Sequence, residues 1–288
     1  MFHGRMSSFD LDESAWTNPW DAEEDVPLVF NNLFEARNYM DGMLNSIFVC
    51  MHQVRNSEKY GTADQVTDLL FLDSICESFL GRLEQWQEAT QMMTTAQFGA
   101  LEKDCQPPMI RYLQLYQTYM TVTLKTPFVT LEMVFDGYTA EFARHVELAG
   151  ILAKPTAEGS PVLSFDMGII HPIFLLVLKC RDIHLRRKAL ALLKRSPEQE
   201  GVWRRAATVA FSEWKIDFEE RGRGELPESS MLPESARIHQ ERVVHEIKGG
   251  KRVAMILYRR SSVSLAEAAE RIEMSKELEV TMEMGNMV

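Results

Sequence analysis

Cysteine is scarce in this 288-residue sequence, and its four copies, Cys50, Cys76, Cys105 and Cys180, stand tens of residues apart with no C-x-x-C pair. That spacing excludes a zinc site built from sequence-local cysteines. Each copy lies in an apolar helical context and reads as a reduced, buried thiol, which fits a reducing compartment inside the cell. Glycine-rich phosphate loops are missing as well: there is no G-x-G-x-x-G and no glycine-lysine phosphate motif, so nucleotide and dinucleotide folds have no support. His245-Glu246 lacks the second histidine a zincin needs four residues on, where Gly249 stands. The longest apolar run, Gly168 to Leu178, has eleven residues, against the roughly 20 that cross a bilayer. No membrane span is expected. Bases are outnumbered, and a net charge of -11 argues against direct, sequence-specific DNA binding by this chain alone. Met1 to Met6 is followed by acids rather than an apolar run, so no secretory leader is expected.

What is present is apolar and helix-patterned. A hydrophobic share of 45% supplies a substantial core for one large domain or two smaller ones. Residues 1–26 carry seven acids against the single base Arg5, with Phe9, Trp16 and Trp20 among them. This is the composition of an acidic disordered tail or activation segment. Asn32 and Glu35 form an N-cap and capping box, and apolar residues follow at helical spacing to about Val54. Thr62 and Gln65 repeat the pattern ahead of a second long helix to roughly Met93. Pro107-Pro108 opens a third, and a fourth spans Thr139 to Leu152. A loop is predicted near 154–161 and another near 222–235, where prolines and glycines gather. Ile238 to Tyr258 alternates about Gly249-Gly250 and reads as a β-hairpin. Residues 261–288 read as a short helix capped by Ser264 and Glu267, then a frayed Met-rich tail.

The densest signal lies between Phe165 and Trp203. An apolar helix ends in Lys179-Cys180-Arg181-Asp182. A second helix then carries Arg186-Arg187-Lys188, with Leu185, Ala189, Leu192 and Leu193 on one stripe. Ser196, Pro197 and Gln199 read as the cap of a new helix, from which Trp203 packs back on the preceding pair. Ion pairs from Arg181 or Arg186 to Glu200, and to Asp182, are the expected use of the charges. His171, inside the apolar helix, reads as a core histidine bonded to a backbone carbonyl, with a ligand-sensing or catalytic imidazole at a pocket wall as the alternative. A metal-dependent cyclase would need clustered acids. The nearest set, Asp217, Glu219 and Glu220, reads as a solvated helix end.

Lys179-Cys180-Arg181-Asp182, Arg186-Arg187 and Glu200-Gly201-x-Trp203 together resemble the signature of the fungal-specific transcription factor regulatory domain. Asn32-Leu33-Phe34-Glu35-Ala36-Arg37 resembles that family's first helix. Ser235-Ala236-Arg237-Ile238 with the hairpin resembles its end. The family more often has a second proline where His171 stands, and its usual cluster of six cysteines is lacking here. The resemblance implies an all-α fold: a single domain of stacked antiparallel helices over residues 27–260, with a small C-terminal β-hairpin. It implies a nuclear regulator (alternatively a cytoplasmic one) of a metabolic, for instance secondary-metabolite, gene cluster. Such a protein needs no cofactor or metal. It would act through protein partners, as a homodimer or with a DNA-binding regulator, and leaves room for a small-molecule effector. The alternative is a small-molecule-binding accessory protein or a cyclase or isomerase on the same scaffold.

Overall fold

The structure, a computed structural model, describes residues 25–60, 65–102, 105–127, 131–153, 163–164, 168–222, 231–248, 251–260 and 274–278. Within these, the side chains of 50–72, 163–164, 239–260 and 274–278 lie outside the description. The chain is mostly helical, with an antiparallel hairpin near the C-terminus. Its contacts gather into two units: 25–127 with 147–153, and 131–146 with the described residues from 163 onward.

The first unit is built on α1 (Leu33–Tyr60), α2 (Gln65–Phe98) and α3 (Pro108–Lys125). The Asn32 carboxamide caps α1 by accepting from the Glu35 N–H at 2.9 Å, and the Glu35 carboxylate accepts from the Asn31 N–H at 2.7 Å. Ala36, Met40, Met43, Leu44 and Ile47 recur three or four positions apart and are buried, so one stripe of α1 faces the core. From α2, Phe79, Leu83, Trp86 and Met93 meet them. The Trp86 indole donates to the Ala36 carbonyl at 2.8 Å, Arg82 to the Tyr39 hydroxyl at 2.8 Å, and Gln97 to the Asn31 carbonyl at 2.8 Å. Those pairs run in opposite directions along the chain, so α1 and α2 are antiparallel. Pro108 opens α3, which needs no N–H there. α1 and α2 extend beyond the periods that predict Val54 and Met93 as their ends, because helices often continue past their last apolar contact.

The second unit holds a 3-10 turn (Glu132–Tyr138), the first part of α4 (Thr139–Leu152), α5 (Ile170–Lys179), α6 (Ile183–Arg195) and α7 (Arg205–Arg221). β1 (Leu163–Ser164) runs parallel to β2 (Gln199–Glu200), which turns through Gly201, φ 53°, into antiparallel β3 (Trp203–Arg204). The predicted helix start at Ser196 is therefore corrected. Ser196 ends α6, with its hydroxyl donating to the Leu193 carbonyl at 2.8 Å, and α7 begins only at Arg205. The capping pattern loses because the Glu200 carboxylate is needed by another helix, as described below. β4 (Ile238–Lys248) and β5 (Lys251–Arg260) form the predicted hairpin. β6 (Met274–Leu278) adds a third strand across the stretch where the short helix is predicted to give way to a frayed tail at Glu277, because its backbone finds partners along β5 from Ala254 to Tyr258. A second 3-10 turn (Glu234–Ala236) occupies part of the predicted 222–235 loop. The acidic stretch 1–24, the 154–161 loop and the helix capped by Ser264 lie outside the described residues.

The α1 cap gives a local test. Asn32→Ala leaves the Glu35 N–H without its acceptor and is expected to cost about 1 kcal/mol. Thermal denaturation followed at 222 nm checks it, and an unchanged midpoint would show that water replaces the cap.

Candidate functional site

Two arginines of the signature, Arg181 and Arg186, meet around one carboxylate in the second unit. α5 is apolar on nearly all sides, with Ile170, Pro172, Ile173, Phe174, Leu176 and Val177 buried. It ends where the Cys180 N–H donates to the Leu176 carbonyl, and Asp182 restarts the helix by accepting from the Leu185 N–H at 2.9 Å. The tight link aims Arg181 inward. Its guanidinium donates to the Leu178 carbonyl at 2.6 Å, to Glu132 at 3.1 Å and to Glu219 at 2.9 Å. One turn into α6, Arg186 donates from Nε to the Val177 carbonyl at 2.8 Å and lies 2.6 Å from the other Glu219 oxygen. Arg181, Arg186 and Glu219 are each at most 1% exposed.

Further groups close the cluster. Lys179 Nζ lies 2.7 Å from Glu132 and over the Phe135 ring. Lys215 donates to the Ile238 carbonyl at 3.0 Å and stands 3.8 Å from Glu219, which also accepts from the Ile238 N–H at 3.0 Å. Glu234 accepts from the Glu132 and Met133 N–H groups, capping the first 3-10 turn, at 2.8 and 2.7 Å. Arg237 forks onto Asp136 at 2.8 and 2.6 Å.

The electrostatics follow from that geometry. Burial alone would raise the Glu219 carboxyl, but Arg181, Arg186 and Lys215 more than offset it and hold it below the usual range. Burial would raise Glu132 too; Lys179, Lys215 and Arg181 bring it down to about 2. Lys215 goes the other way, pushed well below an ordinary lysine by burial and by Arg181 despite Glu219. Four bases share two carboxylates, and the one with the longest ion contact is the one most easily left neutral. Burial lifts the Cys180 thiol to about 11, so it is not a thiolate nucleophile at neutral pH.

Glu200 corrects its expected role. It pairs with neither Arg181 nor Arg186, and Asp182 serves as a helix cap rather than an ion-pair partner. Instead the Glu200 carboxylate accepts from the Ile170 N–H at 2.7 Å at the start of α5, where exposed amides favour a carboxylate. A methyl on Gly168 would overlap that carboxylate. Trp203 packs back as predicted: its ring stacks on His171 at 4.5 Å and 15°, and meets Phe174 at 5.8 Å. His171 is thus a stacking partner, its pKa lowered to about 4 by burial. His145 is held by a carbonyl, with Nδ1 2.9 Å from the Glu141 oxygen and its pKa also lowered to about 4 by burial. Arg187 pairs with Glu220 and Lys194 with Glu213 at the surface. Of the supposed solvated acids, Asp217 is exposed but Glu219 is the buried centre. Cys105 is exposed, correcting its reading as a core thiol, while Cys76 and Cys180 are buried.

Sequence reasoning missed Glu132, Lys215, Glu219, Glu234 and Arg237. A signal for two of them exists in α7: Thr208, Phe211, Ser212, Lys215 and Glu219 fall on one helical stripe, and all are buried. Polar residues in core register mark a buried polar network. Among the described residues no group of three His, Cys, Asp or Glu is placed to hold a metal, and no helix is long and apolar enough to cross a membrane. Among the described residues, one open hollow is lined by Asp217, Glu220 and Arg221 and another by Phe218, Arg221, Gly222 and Ala236; His171 lines neither. No family model, curated protein or solved structure matches this chain.

Two measurements test the cluster. Glu219→Gln strands Arg181 and Arg186 and is expected to cost about 3 to 5 kcal/mol, a fall of roughly 10 °C in melting temperature; an unchanged melt would show the ion pairs to be dispensable. The pH dependence has a defined sign. His145 and His171 accept protons near 6.5 when unfolded but near 4 when folded, so stability is full above 6.5 and falls as pH drops from 6.5 to 4. Glu132 adds a second loss from 4.5 to about 2. Urea midpoints measured from pH 7.5 downward should show the first decline, and His145→Gln should flatten it in part. A flat profile to pH 4.5 would contradict the burial of both rings.

Proposed function

We propose that this chain is a transcription-regulator-like protein of a fungal metabolic gene cluster, with the nucleus as its place of action. It works without a DNA-reading zinc cluster of its own. The observation that carries the reading is the convergence of the resembling residues. Lys179, Arg181, Asp182, Arg186, Glu200 and Trp203 each cap, pair or stack inside one unit. A residue pattern of that kind belongs to a scaffold, and fits a regulatory domain whose signature holds helices together. It gives no nucleophile, base or cavity to an enzyme. The enzyme alternative would place His171 at a pocket wall, whereas the ring lies under Trp203.

DNA contact is assigned to a partner, because a chain of net charge -11 repels a phosphate backbone unless bases are concentrated. The basic residues of the signature are largely spent on internal acids.

The test is a deletion strain. Losing the protein is expected to lower transcripts of several neighbouring genes together while no single precursor accumulates. Normal transcripts with one accumulated intermediate, converted by the purified chain, would overturn the proposal in favour of an enzyme. In a gel-shift assay the purified chain alone is expected to show no sequence-specific retention; tight, salt-resistant binding to one promoter would overturn the assignment of DNA contact to a partner.

A further inference from the structure

The C-terminal sheet leaves one long strand at its edge. β5 lies between β4 and β6, so among the described residues β4 is paired along one side only. Among the described residues no helix packs broadly against the three strands. Their anchor to the helices is Ile238, whose N–H and carbonyl meet Glu219 and Lys215. A small sheet needs cover or further pairing for stability, and an unpaired edge is a template for another strand. Neither proline nor glycine interrupts β4; its register irregularity falls between His239 and Arg242, and 242–248 pairs without interruption.

The order of residues along β4 selects the occupant. The hairpin register places Arg242 opposite Leu257, Val244 opposite Met255 and Glu246 opposite Val253. Inside the sheet, neither charged position therefore faces an opposite charge directly across the ladder. A two-fold axis through Val244, bringing in an antiparallel second β4, sets Arg242 opposite Glu246 of the second copy and Glu246 opposite its Arg242. Both pairs are cross-strand and of opposite sign, the arrangement that stabilises antiparallel neighbours. Moving the axis to Val243 sets Arg242 against Val244 and Glu246 against Gln240, and moving it to His245 sets Arg242 against Lys248. Only the Val244 register satisfies both charges. An unrelated strand would need the same Arg and Glu four residues apart, and this chain supplies it.

We propose that β4 pairs with β4 of a second copy about Val244, forming a two-fold dimer with a continuous six-stranded sheet registered by two Arg242 to Glu246 pairs. This stands independently of the regulator reading, since neither the partner nor the register depends on it.

Sedimentation velocity of the purified full chain is expected to show a concentration-dependent dimer. Arg242→Glu and Glu246→Arg each place like charges across the junction and should weaken it roughly tenfold or more. An equimolar mixture of the two variants restores opposite charges and should recover the dimer, as should the double variant. Circular dichroism on each variant checks that the fold is kept. Should a reversal unfold the chain, hydrogen exchange on the unaltered protein decides instead: amide protection over 242–246 should rise with concentration. A monomer at every concentration, a dimer indifferent to the single reversals, variants that do not recover on mixing, or exchange independent of concentration would each overturn the proposal.

Discussion

The Glu219 carboxylate is the constraint on which the second unit depends. It is buried, and its partners arrive from separate stretches of chain: Arg181 from the link after α5, Arg186 from α6, and the Ile238 N–H from the start of β4. Moving such an ion from water into an apolar interior costs several kcal/mol, recovered only if nearly every oxygen is paired in good geometry. Such a group tolerates few arrangements of its neighbours. It therefore specifies which segments meet, more than it adds stability that a hydrophobic residue could not.

Arg181 extends the constraint by reaching Glu132 as well, and Glu132 begins the 3-10 turn whose N–H groups Glu234 caps. Arg237, the residue just before the sheet anchor Ile238, forks back to Asp136 on the same turn. The turn, three helices and the sheet's first residue are thereby linked through charged groups, while Ile173, Phe174, Val177, Leu193 and Phe211 fill the apolar space. A second clamp lies at the other end of α5. Glu200 caps that helix, and Trp203 covers His171 in the same hairpin. The signature thus fixes both ends of α5, one by a guanidinium and one by a carboxylate, and this is why its residues serve a scaffold.

Much of the helical architecture was legible because it is local. Asn32 and Glu35 announce α1, Pro108 announces α3, and the 139–152 period matches α4 to the residue. The hairpin was legible because two alternating runs flank Gly249-Gly250. Trp203 packs back as read, although its ring lands on His171 and Phe174 of α5 and the helix nearest before it in the chain is α6. The failures have different causes. Ser196, Pro197 and Gln199 carry the marks of a helix start, yet the adjacent Glu200 is drawn to the Ile170 N–H, thirty positions away. Cys105 follows Glu102-Lys103-Asp104 and precedes Gln106, so its place at the surface was already written in its polar neighbours.

The sequence by itself determined where α1, α3 and α4 begin, that α5 is apolar nearly all round, and that charges gather at its exit. Those properties depend on spacing, propensity and caps, which act over a few residues. Tertiary structure alone decided which acid answers which base. Glu200, the acid that the resembling motif supplies after the arginines, was the expected partner along the chain. Glu219, 38 positions from Arg181, became the partner because α7 returns antiparallel to α6, bringing it against Arg181 and Arg186, with Lys215 on the same stripe. A long-range ion pair is chosen by where helices are brought to lie, and nothing in the local order of residues records that.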